Sequence, residues 1–217
     1  LELWGDRKLP PEAQAEVLGT MTAAVLRMEG SLGNALRLFK GPAGQGVGPR
    51  RVVWVDDVFS QVLSILAPVA ASKKITVRPL PPAASDFICA DEDSLRQVVS
   101  NLVSNALKYT PEGGEVRMGL ESGEGEVRFW VADTGRGIAP EDLPHIFTKF
   151  YRGARPQDGS SDPARRIPGS GLGLSIAHKA VTAMGGSIRV ESEVGKGSTF
   201  IVTIPRVPPA RGREDIR

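Results

Sequence analysis

The sequence predicts an α+β fold on three observations. Val116, Met118 and Leu120, then Val127, Phe129 and Val131, alternate with other residues at the period of two that a half-buried strand requires. Ile188 and Val190, followed by Phe200, Val202 and Ile204, repeat that pattern near the C-terminus as an antiparallel pair. Two earlier stretches, near 56–72 and 92–109, carry apolar residues at helical spacing instead. Composition sets the outer bounds. The 217 residues, 41% hydrophobic and 24% charged, leave room for one or two small domains. A net charge of +2 gives no global pull toward nucleic acid or membrane, so any electrostatic function is local. The single cysteine, Cys89, excludes an internal disulfide and fits a reducing compartment. No apolar run approaches the roughly 20 residues that span a bilayer, and no signal peptide is present. The chain starts at Leu1 rather than methionine, so a fragment is expected, with membrane attachment only through a segment upstream.

Taken in order, residues 13–40 form one periodic helix. Leu18, Met21, Val25, Met28, Leu32, Ala35 and Phe39 make an a/d seam, which needs partner helices to be stable. "KLPPEA" supplies the turn before it, and "LELW" reads as the tail of an antiparallel partner. A lone amphipathic helix on a globular core is the alternative. "GPAGQGVGPR", residues 41–50, is a Gly/Pro-rich linker and the best domain boundary. Asp56 or Asp57 then caps a helix to about Ser72, with Val58, Val62, Ile65, Leu66 and Val69 inward. Short strands follow near 75–80 and 87–90, then the helix over 92–109, then a hairpin turning at Glu124-Gly125. "TAMGG" ends a later helix on glycine. Residues 151–171 have little apolar content and many Gly, Pro, Ser and Arg, the composition of a long functional lid. The tail frays from Pro205 onward.

The helix over 92–109 carries a polar stripe. At roughly 100° per residue, Gln97, Asn101, Asn105 and Lys108 fall within about 80° of one another. Leu95, Val98, Val99, Leu102, Val103, Ala106 and Leu107 fill much of the remaining circumference. Asparagine is a mediocre helix former, because its amide competes with the backbone for hydrogen bonds. A carboxamide oxygen is a hard, neutral ligand suited to Mg²⁺, and lysine is a point charge suited to phosphate. By itself, a solvated helix face also explains the stripe. "VADTGRGI", residues 131–138, sets Asp133 at a strand end before Gly135 and Gly137, where backbone can approach a flat ligand. A carboxylate at the edge of a buried sheet needs a donor. The exocyclic amine of adenine is one; guanine presents a carbonyl there, so such a site selects ATP over GTP. A plain Asp-Thr-Gly-Arg turn is the alternative. "GSGLGLSIAHKAV", residues 169–181, is a Gly-rich turn opening a helix whose core face is Leu174, Ala177 and Val181. N–H groups at such a start favour phosphate. The segment lacks the G-K-[ST] of a Walker loop and the setting of a dinucleotide fingerprint.

"NLVSNALKYTP", "DTGRGI", "IFTKFYRG" and "GSGLGLSIAHKAVTAMGGSIRVESEVGKGSTFIVTIP" resemble, in that order, the N, G1, F and G2 boxes of the sensor histidine kinase catalytic domain. That domain belongs to the superfamily of gyrase, mismatch-repair and heat-shock chaperone ATPases. The resemblance covers about residues 50–205 and implies a two-layer α/β sandwich: a mixed, mostly antiparallel sheet covered by helices on one face, preceded by a helical-hairpin dimerisation segment. It implies a partial hairpin over 1–40, a linker over 41–50, an ATP-binding domain over 51–207 with a lid at about 149–170, and a disordered tail over 208–217. By the same resemblance Asn105 is the Mg²⁺ ligand, with Asn101 and Lys108 near the phosphates. Tyr109, Ile138 and Phe150 flank the nucleotide, and Asp133, Gly135 and Gly137 surround adenine. Gly169, Ser170, Gly171, Leu172, Gly173 and Leu174 form the lid hinge and phosphate cradle, and Ser198 or Thr199 supports the Asp133 end.

The hydrolysing relatives carry a glutamate general base where this chain has Asn101, and an uncharged amide cannot take a proton from water at neutral pH. That substitution favours phosphotransfer over hydrolysis. The family's acceptor is a histidine on the first hairpin helix, followed by an acidic residue. His145 and His178, the two histidines here, lie outside any such setting and read as structural, so the acceptor is expected upstream of Leu1. Asn101, Lys108, Lys149 and Arg152 are the catalytic candidates, with Arg155, Arg165 and Arg166 as further lid cations. The implied partners are a second copy through the hairpin and a response-regulator receiver domain whose aspartate takes the phosphoryl group. No nucleic-acid partner is expected, and the domain is expected to be cytoplasmic. Two other readings stay open. One is a nucleotide-regulated binding module or degenerate kinase without phosphotransfer. The other is an anti-sigma-type serine kinase, against which the heptad helix speaks.

Overall fold

A computed structural model describes residues 49–80, 86–123, 125–153 and 170–206. The heptad segment, residues 41–48 of the linker, Glu124, the lid from 154 to 169 with Arg155, Arg165, Arg166 and Gly169, and the tail from 207 lie outside the described residues.

Strand β1 (Arg51–Trp54) runs directly into helix α1 (Val55–Ser72). Strands β2 (Thr76–Arg78) and β3 (Phe87–Ala90) precede helix α2 (Glu92–Tyr109). Strands β4 (Glu115–Ser122) and β5 (Glu126–Asp133) follow, then a 3₁₀ turn (Leu143–His145), helix α3 (Gly173–Ala183), and strands β6 (Ser187–Glu193) and β7 (Gly197–Pro205). Five strands form one sheet in the order β2-β4-β5-β7-β6, parallel only at β2–β4; β1 and β3 pair separately as an antiparallel ribbon. The sheet is therefore mixed and mostly antiparallel, as the sequence implies.

The apolar alternation chooses the covered face. Val116, Met118, Val127, Phe129, Val131, Phe200, Val202 and Ile204 are all buried, and α2 lies over β4 and β5 with α1 and α3 on either side of it. The ring of Phe59 on α1 meets Phe129 of β5 edge-on at 5.6 Å between centroids. The seven apolar positions read from the α2 pattern are the seven it buries. Each such side chain contributes about 1.5–3 kcal/mol on full burial, so α2 is anchored along its whole length and its polar stripe is held rigidly. Asp91 caps it by accepting from the Ser94 N–H at 3.2 Å.

Several expectations are corrected. Strand β1 has no counterpart in the sequence reading, and because it feeds α1 directly, the helix N-cap is Trp54. The first amide, Val55 N–H, donates to the Asp86 carbonyl at 2.8 Å, so Asp56 and Asp57 sit inside the first turn rather than capping it. Val58, Val62 and Leu66 are buried, but Ile65 is 48% exposed and Val69 only half-buried. Val55, Phe59 and Ala70 complete the inward face instead, one residue round from the expected seam. On α3 the buried positions are Ser175, Ala177 and Val181, with Leu174 half-buried. The chain does not fray at Pro205. That residue ends β7, the Arg206 N–H donates to Gly125 O at 2.7 Å, and the Arg206 guanidinium pairs with the buried carboxylate of Asp86. Helix α1 is long and apolar enough for a membrane span by length and composition. Its inward residues pack into the domain core, which makes it a core helix.

Candidate functional site

The site gathers where the C-terminal half of α2 meets the end of β5 and the start of α3. Asn101, Asn105, Lys108 and Tyr109 are all half-buried along α2. A Cβ on Gly173, the first residue of α3, would lie 3.2 Å from Asn101 Oδ1, so the Gly-rich turn abuts the polar stripe. The Asn101 amide nitrogen is buried and finds no hydrogen-bond partner among the described residues. A buried donor left unmet costs about 1–3 kcal/mol.

Asp133, the last residue of β5, pairs in register with Ser198 of β7. Its Oδ1 accepts from the Gly135 N–H at 2.8 Å. Burial pushes its carboxyl above the ordinary aspartate range, against the pull of hydrogen bonds from the Gly135 and Ser198 backbones. The surrounding glycines are there for space. A Cβ on Gly135 would sit 2.5 Å from Asp133 Oδ1 and 2.7 Å from Tyr109 O. Gly197, at φ +114°, would place one 1.8 Å from Asp133 O. Ser192, which the sequence reading missed, organises this end. Its Oγ accepts from the Ile138 N–H and donates to Gly197 O, both at 2.9 Å, and lies 2.9 Å from Ser198 Oγ. Its one hydroxyl hydrogen is spent on Gly197, so Ser198 is the donor between the two hydroxyls. No sequence motif marks Ser192; only its register opposite Ser198 does. A recess at the strand ends is lined by Ala132, Asp133, Thr134, Ser192, Gly197 and Ser198, among others. Thr199 pairs with Ala132 on the sheet face opposite the Asp133–Ser198 row, and it lines the same recess.

The α2 end and the Asp133 loop are joined through Tyr109. Its carbonyl accepts from the Arg136 N–H at 3.4 Å, and both Lys108 Nζ and Arg136 Cζ lie 4.7 Å from its ring centroid, within cation–π range. The described residues on either side of segment 154–169 are also joined. The Phe150 N–H donates to Gly171 O at 3.0 Å; Phe150 is exposed at φ +64°, and Gly171 has φ +69°. A side chain on Gly171 would meet the Phe150 backbone at 2.8 Å, so this crossing requires glycine. Ser170 Oγ accepts from the Leu172 N–H at 3.3 Å, and Leu172 is buried as the α3 N-cap.

Lys149 and Arg152 are exposed. Lys149 lies beside Lys179 of α3, whose ammonium it pushes below the ordinary lysine range. Both histidines have aromatic neighbours at 5.3 Å, His145 with Tyr151 and His178 with Phe147. Among the described residues no three His, Cys, Asp or Glu side chains converge as a metal cage. A metal held by Asn105 would therefore share its coordination with ligand oxygens and water, the usual habit of Mg²⁺.

The comparisons with known proteins fall on the same residues. The family described as histidine kinase-, DNA gyrase B- and HSP90-like ATPase matches residues 90–208. The sensor histidine kinase RppB of Synechocystis sp. is 36% identical over 155 residues, 71% of this chain and 33% of that protein. The chain thus matches only about a third of that relative's length. Full-length ShkA, solved in complex with AMPPNP, is 30% identical with a TM-score of 0.63, over 94% of this chain and 41% of that one. The histidine kinase ThkA, solved in complex with the response regulator protein TrrA, shares the fold at 22% identity and a TM-score of 0.63, over 92% and 53% of the two chains. The matched segment runs from the end of β3 through β7 and takes in the polar stripe, the Asp133 loop and the Gly-rich turn; the chain belongs to the histidine kinase-, DNA gyrase B- and HSP90-like ATPase family.

Proposed function

We propose that residues 51–207 are the ATP-binding catalytic domain of a sensor histidine kinase. The reading is a protein-histidine kinase that transfers the γ-phosphoryl group of ATP to a histidine on a dimerisation helix, for relay to a response-regulator aspartate. The observation that carries it is the unmet Asn101 amide donor beside the start of α3. It lies on the same helix whose end contacts the loop of the half-buried acceptor Asp133. ATP offers a matching pair, an exocyclic amine for Asp133 and phosphate oxygens for Asn101.

In this reading adenine lies against Asp133, Gly135, Gly137 and Ile138, with Tyr109 and Phe150 flanking it. Asn101 and Lys108 hold phosphate oxygens, and Gly171, Leu172, Gly173 and Leu174 bring backbone to the same end. Asn105 holds Mg²⁺, which neutralises phosphate charge when bound. The imidazole nitrogen of the acceptor attacks the γ-phosphorus in line, the bond to the β–γ bridging oxygen breaks, and ADP leaves. Lys149 and Arg152 supply charge to the transferring group from the lid side. Asn101 in place of a carboxylate leaves water without a general base, which preserves ATP for the histidine. The kinase acts as a homodimer through the hairpin and meets a receiver domain in the cytoplasm. The names of the similar proteins support the acceptor and the regulator, and the buried polar pair supports the nucleotide.

Calorimetry of the whole chain with ATP and GTP, with and without Mg²⁺, tests the nucleotide reading; absence of heat with ATP at millimolar concentration sinks it. Labelled ATP and a separate histidine-bearing hairpin test transfer. Tight ATP binding without label on the hairpin would make the domain a nucleotide-gated binding module instead.

A further inference from the structure

The last carbonyls of an α-helix have no partner inside it, and at the end of α2 their partners come from outside the helix. Ala106 O accepts from the Thr110 N–H at 3.0 Å and the Thr110 hydroxyl at 2.6 Å. Tyr109 O accepts from Arg136 N–H. The remaining two, Leu107 O and Lys108 O, and the C-cap carbonyl Thr110 O all accept from a single group, the ammonium of Lys73, at 2.6, 3.3 and 2.6 Å. Lys73 is the C-cap residue of α1, and its own carbonyl accepts from the Gly113 N–H at 3.3 Å, so it is tied to the α2–β4 connection at both ends.

An ammonium has three donors and no acceptor, which matches three converging carbonyls, and its charge opposes the negative end of the helix dipole. Burial pushes the Lys73 ammonium below the ordinary lysine range, and among the described residues no carboxylate offsets that cost. Its neighbour Lys74, at φ +51°, points to solvent and pairs with Glu112 at 2.7 Å. The turn that Lys73 grips carries Lys108 on its stripe and Tyr109 against the Asp133 loop.

We infer that Lys73 is a positioning residue for the nucleotide site: its ammonium locks the last turn of α2 and thereby aims Lys108 at the ligand's phosphates. The inference rests on the ATP reading above and adds to it a residue 35 positions from Lys108 in sequence, outside every motif of the site.

The test measures affinity for ATP and for adenosine in the whole chain, with thermal melts run alongside. Loss of one charge-assisted contact predicts that Lys73→Met binds ATP about tenfold more weakly, with adenosine binding within about twofold. Lys73→Met added to Lys108→Met should cost almost nothing further, because the first acts through the second. Lys74→Met serves as the control and should bind both ligands as the wild type does. Should Lys73→Met not fold, Lys73→Arg replaces it; a guanidinium cannot reproduce the three-way fit, and about threefold weaker ATP binding is expected. ATP affinity equal to wild type in the folded variant, an equal loss for ATP and adenosine, or full additivity with Lys108→Met would each overturn the inference. A wild type that binds no ATP would instead defeat the reading beneath it.

Discussion

Replacing Asp133 with asparagine changes one atom and reverses one hydrogen bond. In the wild type Oδ1 accepts from the Gly135 N–H at 2.8 Å, and the Ser198 backbone also donates to the carboxylate. The asparagine oxygen can keep the Gly135 contact, which sets its NH₂ where the second carboxylate oxygen stood and where an adenine amine would donate. A hydrogen bond to a charged acceptor is lost, worth about 1.5–3 kcal/mol, and donor is set against donor. Together these predict ATP binding weaker by about a hundredfold or more. The fold itself should not suffer. Burial raises the Asp133 carboxyl pKa above its unfolded value, so the folded state binds the proton more tightly and stability falls as pH rises through that window. The neutral amide escapes this cost. At neutral pH Asp133→Asn should melt at or above the wild-type temperature, with the difference closing below the ordinary aspartate range. In the wild type, ATP affinity should drop as pH falls through the raised carboxyl value, because only the ionised form accepts fully. Calorimetry and thermal melts across pH 4–8 report all three quantities. Unchanged ATP affinity in a folded variant refutes the adenine assignment.

Three further outcomes are expected. Asn105→Ala should weaken ATP binding about tenfold with Mg²⁺ present and little in EDTA; equal losses in both buffers would remove its role as metal ligand. Asn101→Leu removes the unmet buried donor, so the unliganded domain should gain about 1 kcal/mol in a urea titration while ATP binding drops about tenfold; a variant with wild-type affinity would show that no phosphate meets that amide. Gly197→Ala places a methyl 1.8 Å from Asp133 O at a φ of +114°, which should cost about 3 kcal/mol or more; a melting temperature within a degree of wild type would contradict this packing.

What could be read in advance depended on how local its cause was. Helix α2 was legible to the residue because its apolar pattern repeats within the helix itself, between residues three and four apart. The strand hairpins were legible for the same reason. Strand β1 was not, since its partner β3 lies 33 or more residues away in the register Trp54↔Phe87 to Arg51↔Ala90, and that distant pairing moved the start of α1 off the aspartates. At the site, glycines and asparagines announce themselves through conformational cost. Ser192 and Lys73 do not, because a serine in a strand and a lysine after a helix are ordinary until the sheet register and the α1–α2 packing bring them to Ser198 and Leu107.

The unliganded domain carries two polar costs that the fold could easily have avoided. The Asp133 carboxylate is desolvated beyond what its two backbone donors repay, and the Asn101 amide nitrogen is buried with no partner among the described residues. Leucine at one and serine at the other would fit the surrounding helix and sheet at lower cost, so stability alone does not account for them. One group can take a further donor, and the other lacks an acceptor among the described residues. They sit on elements joined by the Tyr109 carbonyl and the Arg136 amide, so a ligand that serves both must offer a hydrogen-bond donor to one and an acceptor to the other. A ligand of that kind restores both deficits at once, and by linkage it must stabilise the fold as it binds. Saturating ATP should therefore raise the melting temperature of the wild type. It should raise that of Asp133→Asn or Asn101→Leu much less, and an equal rise in all three would mean that the ligand touches neither group.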